Sequence, residues 1–123
     1  FPIEAPFWDI GIKSVFHLSA AIRRAGTIIL NGPSGVFENP DFALGTIEML
    51  NACAESDGYA VMGGGHTATL VAQRGLANKM GHVSTGGGAC LDYIAGRPLP
   101  AVVSLEQSAV AFGIDITSAE RKV

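Results

Sequence analysis

The chain has 123 residues, of which 16 are glycine, 48% apolar and 15% charged, for a net charge of −3. Glycine stands at about twice its usual ~7% share, yet no Gly-X-Y period runs through the sequence and only 6 residues are proline, which excludes collagen and low-complexity linkers. The apolar fraction excludes a disordered chain. Eight basic against eleven acidic residues, with no basic run longer than Arg23-Arg24, leave no electrostatic footprint for nucleic acid or an anionic membrane.

At ~150 residues per domain the length suits one domain at most, large enough for one core. Cys53 and Cys90 lie 37 residues apart without metal-ligand spacing, which points to reduced thiols in a cytoplasmic setting, packed as small hydrophobes. No apolar run approaches the ~20 residues of a membrane span, and the N-terminus lacks the layout of a signal peptide. The missing initiator Met points to a natural start upstream of residue 1.

In chain order, residues 1–13 read as irregular. Ser14 reads as an N-cap, with Val15, Leu18 and Ile22 at helical spacing, so a helix is expected over 14–25. Thr27-Ile28-Ile29-Leu30, stopped by Asn31-Gly32-Pro33, reads as a strand buried on both faces. A second helix is expected over 41–55, ending before Gly58. Two further units of strand, glycine turn and helix follow: 59–62, 63–65 and 66–80, then 82–84, 86–88 and 89–95. Val102, Leu105, Ala109 and Phe112 allow one more short helix, and 114–123 forms a tail without a clear partner. Successive strand-turn-helix units imply parallel strands with right-handed crossovers. The expected fold is therefore α/β: a partial Rossmann-like parallel sheet of three or more strands with helices on both faces.

The glycines cluster where such a sheet binds ligands. Gly63-Gly64-Gly65-His66-Thr67 and Thr85-Gly86-Gly87-Gly88-Ala89 each place three glycines between a strand end and a helix start. Unpaired N–H groups and the positive dipole end face an incoming anion there, and glycine lets a phosphate approach the backbone. Tight turns alone would also explain one triplet. Two at the same sheet edge point to phosphate binding. The loose dinucleotide fingerprint from Gly63 lacks an acidic residue about 20 positions on, and no Walker-type string is present. Asn31-Gly32-Pro33-Ser34-Gly35-Val36-Phe37-Glu38 should lie at the same edge, with Glu38 able to accept hydrogen bonds from ribose hydroxyls. Ser34 does not sit in a nucleophile elbow. His17 and His82 read as structural, and Trp8 with Phe7 as packing.

The succession N-G-P-S-G-V-F-E, G-G-G-H-T and H-V-S-T-G-G-G-A-C-L-D-Y-I-A-G, preceded by D-I-G-I-K-S, closely resembles the C-terminal part of phosphoglycerate kinases, from about Asp9 to Pro100. The resemblance covers the last third or so of a usual two-domain member. It implies that 1–123 is a partial C-terminal nucleotide-binding domain, with 114–123 as its tail. The implied reaction is phosphoryl transfer between 1,3-bisphosphoglycerate and ADP, giving 3-phosphoglycerate and ATP in glycolysis, with Mg2+. By the same resemblance Asn31, Gly32 and Pro33 border the nucleotide and Glu38 takes the ribose hydroxyls. Gly64, Gly65, His66 and Thr67 face its terminal phosphates, Gly87 and Gly88 donate to the transferring phosphoryl group, and Ser84 and Thr85 belong to a hinge region. Familiar members carry an Asp that helps hold magnesium where this chain has His66, a variation similar to archaeal-type members. His66 then donates to phosphate, and no residue of this chain is assigned as a metal ligand. The family's N-terminal domain, with its phosphoglycerate-binding basic patch, and a phosphate-contacting Lys have no counterpart, so the chain is expected to be inactive alone. A non-catalytic nucleotide- or phosphate-binding module is the alternative, and a half that assembles with a separate chain a third reading.

Overall fold

The computed structural model describes residues 4–115, which divide by internal contacts into the compact units Phe1–Gly88 and Ala89–Val123. The first unit opens with helix α1, Ile12–Arg23. It begins two residues before the expected cap: Gly11 is the N-cap and its carbonyl accepts from Ser14 and Val15 N–H at 2.9 and 3.0 Å, so Ser14 is already inside the helix. Val15 and Ser19, one turn apart, are its buried residues, and α1 packs against α2, Leu44–Glu55.

Strands β1 (Thr27–Asn31), β2 (Tyr59–Gly63) and β3 (His82–Ser84) form a parallel sheet in the order β1-β2-β3. Right-handed crossovers that both step the same way across a sheet put their helices on the same face. The core agrees: Ile28, Ala60 and Met62 pack with Leu50 and Cys53 of α2 and with Leu70 and Val71 of α3, Gly65–Gln73. The α/β class and the parallel pairing are as expected. Burial of β1 on both faces is not: Ile29 is 46% exposed and Tyr59, on the neighbouring strand, 57%, because α2 and α3 both cover the other side.

Helix α3 also stops at Gln73 rather than near 80. Gly75 takes a positive φ of 65°, and Gly75 and Leu76 N–H close back onto the Ala72 and Val71 carbonyls, a left-handed helix stop that only glycine adopts without cost. A short 3-10 turn, Ala77–Lys79, leads into β3.

Helix α4, Gly87–Ile94, runs from the first unit into the second, and α5, Pro100–Ala111, follows with proline in its first turn. No residue of either helix is buried. Beyond Asp115 the expected tail lies outside the described residues.

Cys53 is fully buried, and its surroundings push the thiol up to about 11, which keeps it protonated and unreactive. Cys90 is only half-buried, contrary to its reading as a core residue. His17 and His82 are exposed. Phe7 is 82% exposed, while Trp8 meets Phe42 edge-on with ring centroids 4.8 Å apart. The Ser19 hydroxyl is buried without a hydrogen-bond partner, which costs desolvation. Ser19→Ala is therefore expected to raise stability by up to about 1 kcal/mol in urea unfolding.

Candidate functional site

The register of the sheet sets the site. Asn31 pairs with Gly63 and Gly63 with Ser84, so the three strands end in one row and the segments that follow them start side by side. The Gly32 N–H extends the ladder by donating to the Gly63 carbonyl at 3.2 Å.

The first residue past β2 is the N-cap of α3, Gly64, with φ 98° and ψ 143°, a conformation essentially closed to residues with a Cβ. A Cβ built there would lie 3.4 Å from Asn31 Oδ1, 3.8 Å from Gly32 N and 3.9 Å from the Gly87 Cα. One built on Gly87 would lie 3.6 Å from both Asn31 Oδ1 and the Gly64 Cα. Asn31, Gly32, Gly64 and Gly87 thus form one small patch in which the turns after β1, β2 and β3 touch. At Gly65 and Gly88 the same construction meets nothing within 4 Å, so the backbone is open on that side. Neither α3 nor α4 carries an acidic residue in its first turn, and α3 has no side-chain cap. The positive helix starts are left uncompensated by their own residues, and such starts favour an anion.

The remaining sequence-predicted residues distribute around this patch. His66, exposed at the second position of α3, has its ring centroid 5.9 Å from that of Phe37, so the first loop reaches the start of α3. Glu38, next to Phe37, and Pro33 are exposed. Thr67 differs from its expected place facing phosphates: it is 2% exposed, on the same face of α3 as buried Leu70 and Val71, and its hydroxyl has no partner. Its backbone N–H, one of the three at the start of α3, remains a candidate donor. Ser84 Oγ accepts from the Gly86 N–H at 3.1 Å and shapes the turn into α4.

The family model described as phosphoglycerate kinase matches residues 1–97. The chain belongs to the phosphoglycerate kinase family. A phosphoglycerate kinase of Methanocorpusculum labreanum is 47% identical over 112 residues, covering 91% of this chain and 27% of that protein. One of Bdellovibrio bacteriovorus is 52% identical over 92 residues, covering 75% and 23%. The solved phosphoglycerate kinase of Pyrococcus horikoshii superposes with a TM-score of 0.71 at 38% identity, covering 84% of this chain and 25% of that one. The chain therefore spans about a quarter of the length of these phosphoglycerate kinases.

Among the described residues no three His, Cys, Asp or Glu side chains converge. No helix among the described residues is long and apolar enough to cross a membrane.

The sequence reading missed Asp9. Its carboxylate Oδ2 accepts from the Gly45 N–H at 2.8 Å, across 36 positions of sequence, and Oδ1 from Ile10 N–H at 2.8 Å. A cap delivered from so far away leaves no local signature, since capping motifs are read within four residues.

Proposed function

We propose that this chain is the partial C-terminal, nucleotide-binding part of a phosphoglycerate kinase. The enzyme moves a phosphoryl group between 1,3-bisphosphoglycerate and ADP to give 3-phosphoglycerate and ATP, a step of glycolysis in the cytoplasm. The observation that carries this reading is the contact of two glycine-lined helix starts, at Gly64 and Gly87, with Asn31 beside both. In this reading Asn31, Gly32 and Pro33 border the nucleotide and Glu38 accepts its ribose hydroxyls. The N–H groups of Gly64, Gly65, His66 and Thr67 hold the terminal phosphates.

In the forward direction a β-phosphate oxygen of ADP bonds to the phosphorus of the acyl phosphate while the bond from phosphorus to the carboxyl oxygen breaks. The electron pair leaves with the carboxylate. Such a transfer passes through a loose transition state whose charge lies on peripheral oxygens. What a protein contributes is placement and fixed donors, with no covalent nucleophile. Gly87 and Gly88 N–H groups are suited to the phosphoryl group in flight, and His66 to a phosphate oxygen. Magnesium would come with the nucleotide and would supply positive charge against its phosphates, with no residue of this chain assigned to hold it.

The glycine turns serve the nucleotide and the phosphoryl group only, and in this reading the phosphoglycerate site belongs to the N-terminal part of the same enzyme. The expected result is ATP formation from 1,3-bisphosphoglycerate and ADP by the complete enzyme that carries this chain, reduced in its His66→Ala variant, with none by residues 1–123 alone. Turnover by the chain alone would contradict the fragment reading. Inactivity of the complete enzyme would contradict the reaction.

A further inference from the structure

The loop from Asn31 to Glu38 is anchored at its start by the sheet, through the Gly32 N–H on the Gly63 carbonyl. Its middle is anchored by a different part of the chain. The Val36 N–H donates to the Trp8 carbonyl at 2.8 Å, and Thr46 Oγ1 accepts from the Ser34 and Gly35 N–H groups at 3.1 and 3.3 Å. Between these contacts sits the Asp9 carboxylate, in a slot that two glycines leave open. A Cβ on Gly35 would lie 2.5 Å from Asp9 Oδ1 and 2.6 Å from the Phe42 carbonyl oxygen. One on Gly45 would overlap Asp9 Oδ1 and lie 2.8 Å from Ser34 Oγ.

Helix α2 has no acidic residue in its first turn and no side-chain cap from its own N-cap, Ala43. Asp9 supplies both from outside, as an acceptor for the Gly45 N–H and a negative charge at a helix N-terminus. One carboxylate therefore bonds Ile10 and the start of α2 and packs against Gly35, while the loop's own hydrogen bonds run to the Trp8 carbonyl and to Thr46, in the first turn of the helix that Asp9 caps. The loop's far end follows from the Val36–Trp8 bond, because the Asn39 N–H closes back on the Val36 carbonyl at 3.0 Å, enclosing Phe37 and Glu38 in a turn.

We propose that Asp9 is a positioning residue for the nucleotide: it fixes the loop that carries Glu38, and so sets affinity for the nucleoside end of ADP while leaving phosphoryl transfer untouched. The proposal rests on the nucleotide reading above. Asp9 has no part in the transfer itself, since its carboxylate is occupied by the Gly45 and Ile10 N–H groups.

Asp9→Asn keeps the shape but turns an NH2 group toward one of those two donors, so the two segments that anchor the loop, residues 8–10 through Trp8 and the start of α2 through Thr46, lose a bond and the loop loosens without a cavity. In the complete enzyme the variant is expected to raise the KM for ADP about tenfold, with kcat at saturating ADP within about threefold of wild type. Hydrogen exchange should quicken in a peptide covering residues 34–37 and stay unchanged in α3. Thr46→Val, which removes the neighbouring acceptor, should give the same pattern by an independent route, and a cooperative melt establishes that each variant is folded. Wild-type KM in both variants would overturn the proposal. So would a fall in kcat at unchanged KM, or equal losses of activity and folded protein. If wild-type enzyme gains no protection over residues 31–38 from ADP, the nucleotide reading fails and takes this proposal with it. Protection in wild type with an unshifted Asp9→Asn KM sinks the role of Asp9 alone.

Discussion

Gly64→Ala should reduce kcat/KM of the complete enzyme by roughly a hundredfold to a thousandfold, the loss seen when one fixed donor to a developing anion is removed. The backbone decides this position: it sits at φ 98°, ψ 143°, where a side chain costs about 1–3 kcal/mol, so the peptide must rotate and re-aim the N–H groups at the start of α3. The new methyl itself would stand at ordinary contact distance, 3.4 Å from Asn31 Oδ1 and 3.9 Å from the Gly87 Cα. The stability cost should appear in urea unfolding, but it is too small to explain the kinetic loss as unfolded protein. Gly65→Ala, whose Cβ meets nothing within 4 Å, serves as the control and should keep its fold while narrowing the open face. Gly64→Ala kinetics equal to wild type would show that this turn is not where phosphate is held.

Leu50→Ala is expected to cost about 2–5 kcal/mol of stability, the range for emptying a filled core position. Leu50 has no exposed surface and sits in the α2 face that covers Ile28, Ala60 and Met62, so its removal leaves a cavity between helix and sheet. The measurement is the urea midpoint at unchanged slope. Leu105→Ala, on α5 and 71% exposed, should shift it by no more than about 0.5 kcal/mol. Since whole domains are stable by only about 5–15 kcal/mol, loss of Leu50 brings the first unit close to unfolding.

The sequence made the fold class legible because three apolar runs, each followed by glycine and then by helical spacing, admit few alternatives to a parallel sheet. Boundaries were read less well where backbone geometry overrode composition. Gly11, lacking any capping side chain, started α1 where Ser14 looked the better cap. Gly75 ended α3 inside an apolar-periodic stretch. The exposure of Ile29 was not legible, since an apolar β-branched run reads as buried whether one face or two are covered.

At the site, the placing of the glycine triplets was legible because each follows an apolar run and precedes helical spacing. That Asn31 would touch both turns was not, because it depends on the register that sets Asn31 opposite Gly63. The inward side chain of Thr67 was hidden for a related reason. A residue in the first turn of a helix can offer its N–H to a ligand while its hydroxyl turns to the core.

The most direct test of the phosphate site is amide hydrogen exchange of the complete enzyme with ADP and, separately, with adenosine. ADP is expected to slow exchange in peptides covering residues 63–68 and 85–90, whereas adenosine protects only 31–38. Protection by ADP confined to 31–38, with both glycine turns exchanging as in the free enzyme, would contradict the account.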